Sequence, residues 1–218
     1  MSALDISRLA EKQRQMARQV ILADGFGEIR WVGGCDVSLR RSRRSSEGAA
    51  TVTVFSFTTI ESIEAATVRG RVEFPYVPGF LAFREFPLVA RAFARLKTQP
   101  DVLILDGHGL AHPRRFGLAC YAGLELDIPT IGCAKSLLCG EFEPFELRRG
   151  NRSPILLDSE TVGFAVCTRD GVKPLFVSLG HKITLETAVE IVLRCAVRYR
   201  QPEPTRLAHA QSRRAIGR

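Results

Sequence analysis

The sequence predicts an α/β fold, a mixed β-sheet flanked by helices, and three observations carry that expectation. Val102-Leu-Ile-Leu105 is a short apolar run, the mark of a buried strand, and it stops at Asp106-Gly107. Ala49 to Phe57 and Ser62 to Val72 are rich in β-branched residues and follow a first strand closely enough to form a meander. Longer segments at 4–22, 80–97, 116–126 and 184–200 read as helices with apolar sides. At 218 residues a single domain spanning 1–218, with a large core, is expected over two.

Residues 4 to 22 set Leu4, Leu9, Met16, Val20 and Ile21 among charged and amide side chains, with Asp5 or Ser7 as the cap, and make an amphipathic helix for a sheet face. The first strand runs from Arg30 to Leu39 and holds Asp36 between apolar neighbours. A carboxylate inside a strand is costly unless it is paired or binds a cation, so a metal is the expected relief. Arg40 to Gly48 is a basic, serine-rich turn, and Arg40, Arg41, Arg43 and Arg44 suit either phosphate contact or plain solvation. Glu73 to Leu81 is a loop stiffened by Pro75 and Pro78, which leave Tyr76 and Val77 little freedom. A rigid tyrosine there either stacks on or wedges between bases, or plugs the sheet edge.

The helix from Phe80 to Lys97 carries Glu85 in its first turns, aimed at Asp36 and Asp106 if the preceding loop packs near strand one. Asp106 ends a strand at a glycine turn, and the crevice beyond strand ends is where open α/β sheets bind ligands. Its alternative role is to close an Asx turn or cap a helix starting near Pro113. Pro129 to Ala134 is a short strand leading to Lys135, which either contacts a phosphate or snorkels to solvent. Gly140 to Pro154 reads as a basic loop, and Val162 to Thr168 pairs with Leu175 to Leu179 around Arg169-Asp-Gly. Residues 201–209 read as extended and end at His209, and 210–218 as a frayed basic tail.

The formal net charge of +8 favours a polyanionic partner, nucleic acid before membrane, with a solubility surplus as the alternative. Six cysteines lie mostly in apolar runs with no CxxC pair and no zinc spacing, so they are expected to be buried reduced thiols. No apolar core segment marks a signal peptide and no run is long enough to span a bilayer, so the expected location is cytoplasmic, with no membrane partner.

Acids on a first strand, an early helix and a later strand are what a ribonuclease H-like nuclease gathers around divalent cations. Hard oxygen ligands suit Mg²⁺, and phosphodiester hydrolysis is the chemistry such a site performs. Five blocks make the comparison specific: GCDVS at 34–38, FPYVPGFLAFRE at 74–85, LDGHGLAHPRRFG at 105–117, PTIGCAK at 129–135 and PEPTRLAH at 202–209. Together and in this order they resemble the endonuclease V family of deoxyinosine-directed repair nucleases, bacterial type. The resemblance implies a ribonuclease H-like fold and a Mg²⁺ site, with Mn²⁺ able to substitute, formed by Asp36, Glu85 and Asp106. It implies catalytic roles for Lys135, as a charge partner of phosphate or water, and for His209, as an orienting or proton-transfer group.

It further implies a DNA wedge at Pro75, Tyr76, Val77 and Pro78, and a pocket for the flipped base at Gly79, Leu81, Gly107, His112 and Gly117. Ser136 departs from many relatives, which carry a second basic residue there. The expected substrate is DNA containing deoxyinosine or another deaminated base, cut by a monomer at the second phosphodiester bond 3′ to the lesion. Inosine-containing RNA is the alternative substrate, and a binding module without hydrolysis the remote one.

Overall fold

The computed structural model describes residues 3–41 and 46–217. In chain order its elements are α1 (Ala3–Ala17), β1 (Trp31–Arg41), β2 (Ser46–Ser56), β3 (Ser62–Arg71), α2 (Leu81–Phe93), β4 (Val102–Leu105), α3 (Leu118–Leu126), β5 (Thr130–Ala134), β6 (Arg152–Leu157), β7 (Glu160–Val166), β8 (Leu175–His181), α4 (Leu185–Cys195) and α5 (Glu203–Ala215). The strands form one sheet in the order β3-β2-β1-β4-β5-β8-β7-β6. β1, β4 and β5 are parallel and every other neighbouring pair is antiparallel. Parallel strands are covered on both faces, which is why β4 and β5 are buried at every position and read as unbroken apolar runs.

Alternation along the strands divides the core in two. Cys35, Leu103 and Leu105 face α2 and α3, packing on Leu88, Val89, Ala92 and Ala119, with Met16 and Ala17 of α1 at the margin. Val32, Val102 and Ile104 face the other way and pack with Val177 of β8 and Val189 and Val192 of α4. Each fully buried Val, Leu or Ile in these layers contributes on the order of 1.5–3 kcal/mol. The meander and the β7–β8 hairpin form as expected, and β1 and β2 reach into the basic turn. Arg40 there faces Glu47 across the ladder, with Nη2 donating to Oε2 at 2.7 Å, while Arg43 and Arg44 lie outside the described residues.

Several expected boundaries move. Helix α1 ends at Ala17, α3 starts only at Leu118, and the basic loop gives way to strand β6 at Arg152. Helix α4 stops at Cys195 rather than Arg200, because Arg149 donates to the carbonyls of Leu193 at 2.6 Å and Ala196 at 2.7 Å. The main correction is at the C-terminus. Residues 203–215 are neither extended nor frayed but form α5, with Pro204 in its first turn, where the missing N–H costs no helical bond.

Helix α5 is tethered by a small-residue stripe, Pro204, Ala208 and Ser212, which recurs every four residues and is buried. Gly34 of β1 makes the close approach possible, since a Cβ there would lie 2.2 Å from the Pro204 carbonyl carbon. Thr53 Oγ1 completes the joint by donating to the Pro204 carbonyl at 2.9 Å. All six cysteines are free thiols, five buried and Cys139 partly so, as expected. No helix among the described residues is long and apolar enough to cross a membrane.

Candidate active site

The parallel register of β1 and β4 pairs Cys35 with Leu105, and the Asp106 N–H donates to the Cys35 carbonyl at 3.0 Å. The next residue of each strand is an aspartate, so Asp36 and Asp106 emerge side by side at the carboxyl ends of adjacent parallel strands. Strand β5 adds the third component from the same end. Lys135, just beyond it, places Nζ 2.5 Å from Asp106 Oδ2. Asp106 therefore serves no cap: α3 begins at Leu118, and its N-cap residue is Gly117, without any side-chain cap bond.

From the opposite face α5 brings two side chains to Asp36. His209 Nδ1 lies 3.2 Å from Asp36 Oδ1, and Ser212 Oγ donates to Asp36 Oδ2 at 2.5 Å. The Ser38 and Ser212 hydroxyls are 2.8 Å apart, so both Asp36 oxygens are held in place. Neither serine stood out in the sequence. The signal that leads to Ser212 is the Pro202-Glu-Pro204-Thr helix start, which puts residues 205, 209 and 212 on one side of a helix.

Glu85 enters from α2 and is buried. Burial first, then the charges of Asp36 and Asp106, raise its pKa to about 8, with Arg84 opposing. Asp106 is also raised, chiefly by burial and in part by Asp36, against the pull of Lys135. Crowding three carboxylates in a partly dry site is unfavourable unless positive charge is supplied. Among the described residues, Asp36, Asp106 and His209 offer ligand atoms all within 4.8 Å of one another. Glu85 stands outside that tight set while feeling both aspartates. A donor set of hard carboxylate oxygens with one imidazole fits a divalent cation.

One residue beyond Asp106 the chemistry changes. A cavity of about 230 Å³ is walled on one side by Tyr76, Val77, Pro78, Gly79 and Leu81 and on the other by Gly107, His112 and Gly117. All five residues expected around a flipped base meet here. Pro75 does not; it turns toward a separate cleft beside Phe74 and Phe83. Tyr76 is 61% exposed, which excludes the role of an edge plug. Gln13 and Leu138 line the same cavity and had no signal of their own in the sequence, whereas His108, also in the lining, stands in the histidine- and arginine-rich turn that follows Asp106.

His112 Nε2 lies 3.1 Å from the Gly79 carbonyl, and the Arg114 N–H donates to His112 Nδ1 at 3.1 Å. A carbonyl only accepts, so Nε2 carries the proton and the ring is the neutral tautomer. Burial and the nearby Arg114 lower the His112 pKa to about 4, in keeping with that assignment.

Residues 14–210 match the family model of endonuclease V. The chain belongs to the endonuclease V family. The endonuclease V of Dictyoglomus thermophilum is 46% identical over 204 residues, covering 94% of this chain and 88% of its own length. The crystal structure of endonuclease V from Streptomyces avermitilis matches with a TM-score of 0.90 at 39% identity, over 96% of this chain and 92% of that one. Endonuclease V of Ciona intestinalis, in complex with a 24mer DNA containing an inosine followed by a ribo-adenosine, matches with a TM-score of 0.85 at 30% identity, over 97% and 98%. The chain is thus a nuclease of the endonuclease V family with the expected ribonuclease H-like α/β fold.

Proposed function

We propose that this protein is a metal-dependent DNA repair endonuclease that acts at deoxyinosine, the product of adenine deamination. It hydrolyses the second phosphodiester bond 3′ to the lesion and leaves 3′-hydroxyl and 5′-phosphate ends. One observation carries this reading: the cation-fitting acids and the cavity share the Asp106-Gly107 step, so a base in the cavity holds its own strand beside the acids. At about 230 Å³ the cavity lies below the ~300 Å³ lower end of drug-sized pockets and suits a heterocycle rather than a whole nucleotide.

Asp36, Asp106 and His209, with Glu85 beside them, are the residues assigned to hold Mg²⁺ or Mn²⁺. A divalent ion there would supply a more acidic attacking water and stabilise charge on the leaving oxygen. Lys135 holds Asp106 and presents positive charge to the scissile phosphate. Tyr76, exposed on its proline-stiffened loop, fills the gap left by the extruded base, whose weak pairing lowers the cost of flipping. The +8 net charge raises the encounter rate with DNA and makes binding salt-dependent.

A second reading, hydrolysis of inosine-containing RNA, is favoured by one observation: the DNA bound by the Ciona relative carries a ribonucleotide directly after its inosine. A binding module without hydrolysis is disfavoured because Asp36, Glu85 and Asp106 are all present. The test is cleavage of an end-labelled duplex with one deoxyinosine, with Mg²⁺ and with EDTA, beside an inosine RNA of the same sequence. A metal-dependent cut one nucleotide beyond the lesion in DNA is expected. Cleavage of the RNA alone would transfer the function to RNA turnover, and no cleavage of either would leave a binding module.

A further inference from the structure

Gln13 belongs to α1, away from every motif that marks the site, yet it is 1% exposed and its amide is fully engaged. Nε2 donates to the carbonyls of Gly79 at 3.1 Å and Phe116 at 3.2 Å, and Oε1 accepts from Arg114 Nε at 2.6 Å. These partners lie on the two loops that wall the cavity. Gly79 follows the Tyr76 wedge, and Phe116 precedes Gly117 on the far wall.

The Gly79 carbonyl is the meeting point. It accepts from Gln13 Nε2, from His112 Nε2 at 3.1 Å and from Arg114 Nη2 at 2.5 Å. Gly79 itself has φ of +78°, a conformation that side chains rarely adopt, and Arg114 stacks over the next residue, Phe80, at 4.3 Å from the ring centre. A turn whose carbonyl is held by three donors stays in one position only while its partners do. Anchorage of α1 to the core is already provided by Met16 and Ala17. The buried amide serves the loops instead.

We infer that Gln13 is a positioning residue for base recognition: its carboxamide locks the two cavity walls, with the wedge between them, at the spacing that accepts a flipped base. The inference rests on the proposed inosine-directed function and extends it to a residue on a third element. A buried hydrogen-bonding group left without its partner is costly, so removing the amide should relax the walls without touching the acids.

The test is Gln13→Leu in the full chain, assayed on a duplex with 2-aminopurine beside a single deoxyinosine. Fluorescence is read in EDTA, where flipping unstacks the probe without cleavage, and kcat and KM are read in Mg²⁺. Expected are a roughly ten- to hundredfold rise in KM, with kcat within about threefold of the wild type, and a reduced fluorescence rise. Discrimination between inosine and undamaged duplex should fall in step. Gln13→Glu keeps the shape and the acceptor for Arg114 but loses both donations; it is expected to show the same split and carries the test if Gln13→Leu does not fold.

Unchanged KM and flipping signal in a folded variant would overturn the inference, as would loss of the folded state in both variants, which would make Gln13 a residue of the fold alone. A wild type that gives neither flipping signal nor cleavage at inosine would instead overturn the proposed function.

Discussion

Asp36, Glu85 and Asp106 crowd three carboxyl groups together, whereas the cavity one residue away is lined by uncharged side chains and its Gly79 wall is already held by hydrogen bonds. In the acid cluster, burial and repulsion push two carboxyls upward, and compensation by Lys135 reaches only Asp106. In the cavity, Gln13, His112 and Arg114 satisfy the Gly79 carbonyl before any ligand arrives. On the proposed function, the difference makes the recognition half preorganised by the chain itself and leaves the hydrolytic half to be completed by a cation. Variants of the two halves should therefore separate cutting from binding.

Removal of a carboxylate should have the largest effect. Asp106→Ala is expected to lower single-turnover cleavage by about 10³-fold or more, since a bound metal supplies several kcal/mol of transition-state stabilisation. Binding to an inosine duplex, followed by fluorescence anisotropy, should persist. If cleavage survives in full, the acids are not the hydrolytic half.

Loosening a ligand rather than removing it should cost less. Ser212→Ala takes the 2.5 Å hydrogen bond from Asp36, and such outer partners are worth roughly ten- to hundredfold in metal affinity. Titration of free Mn²⁺ by electron paramagnetic resonance reads this directly, with inosine binding unaffected. Equal Mn²⁺ affinity in variant and wild type would show that Ser38 and His209 hold Asp36 without it.

On the recognition side, Tyr76→Ala is expected to weaken lesion binding by about 1–3 kcal/mol, the value of one stacked base, while kcat on saturating substrate stays nearly constant. A loss of kcat with binding intact would move Tyr76 from the wedge to the chemistry.

The remaining effect is on stability against pH. The folded His112 pKa of about 4 lies below the ordinary value of 6.5, so between these the unfolded chain binds more protons. Stability should fall as pH drops from about 6.5 toward 4, by up to about 3 kcal/mol for this group. Urea unfolding of His112→Asn should lack that share of the slope. The same slope in both proteins would show that other groups set it.

Much of both halves was legible along the chain because short-range rules produce them. An apolar run ending in Asp106-Gly107 is a strand delivering a carboxylate, and a tyrosine between two prolines is a displayed aromatic. Strand β6 was masked by the prolines and charges around it, and the end of α4 by Arg149, a cap more than forty residues upstream. Helix α5 was misread because its sequence is polar, with two prolines at its start, and pattern alone gives it no apolar side to bury. Gly34 supplies the reason it packs, and that contact joins residues 170 positions apart.

Sequence alone, then, determined the fold class, the pairing of a strand aspartate with a strand-end aspartate, and the rigid loop beside them. The class, the two strand carboxylates and the loop follow from period, turn chemistry and the cost of burying charge, all of which act over a few residues, while the pairing of the aspartates came from the resemblance in motif order. Tertiary packing decided what holds those groups in place. Ser212 reaches Asp36 across 176 positions and Gln13 reaches Arg114 across 101, and a serine or glutamine carries no local mark of a partner so distant. Polar side chains of this kind acquire a role only when folding removes water from around them and leaves one set of partners within reach.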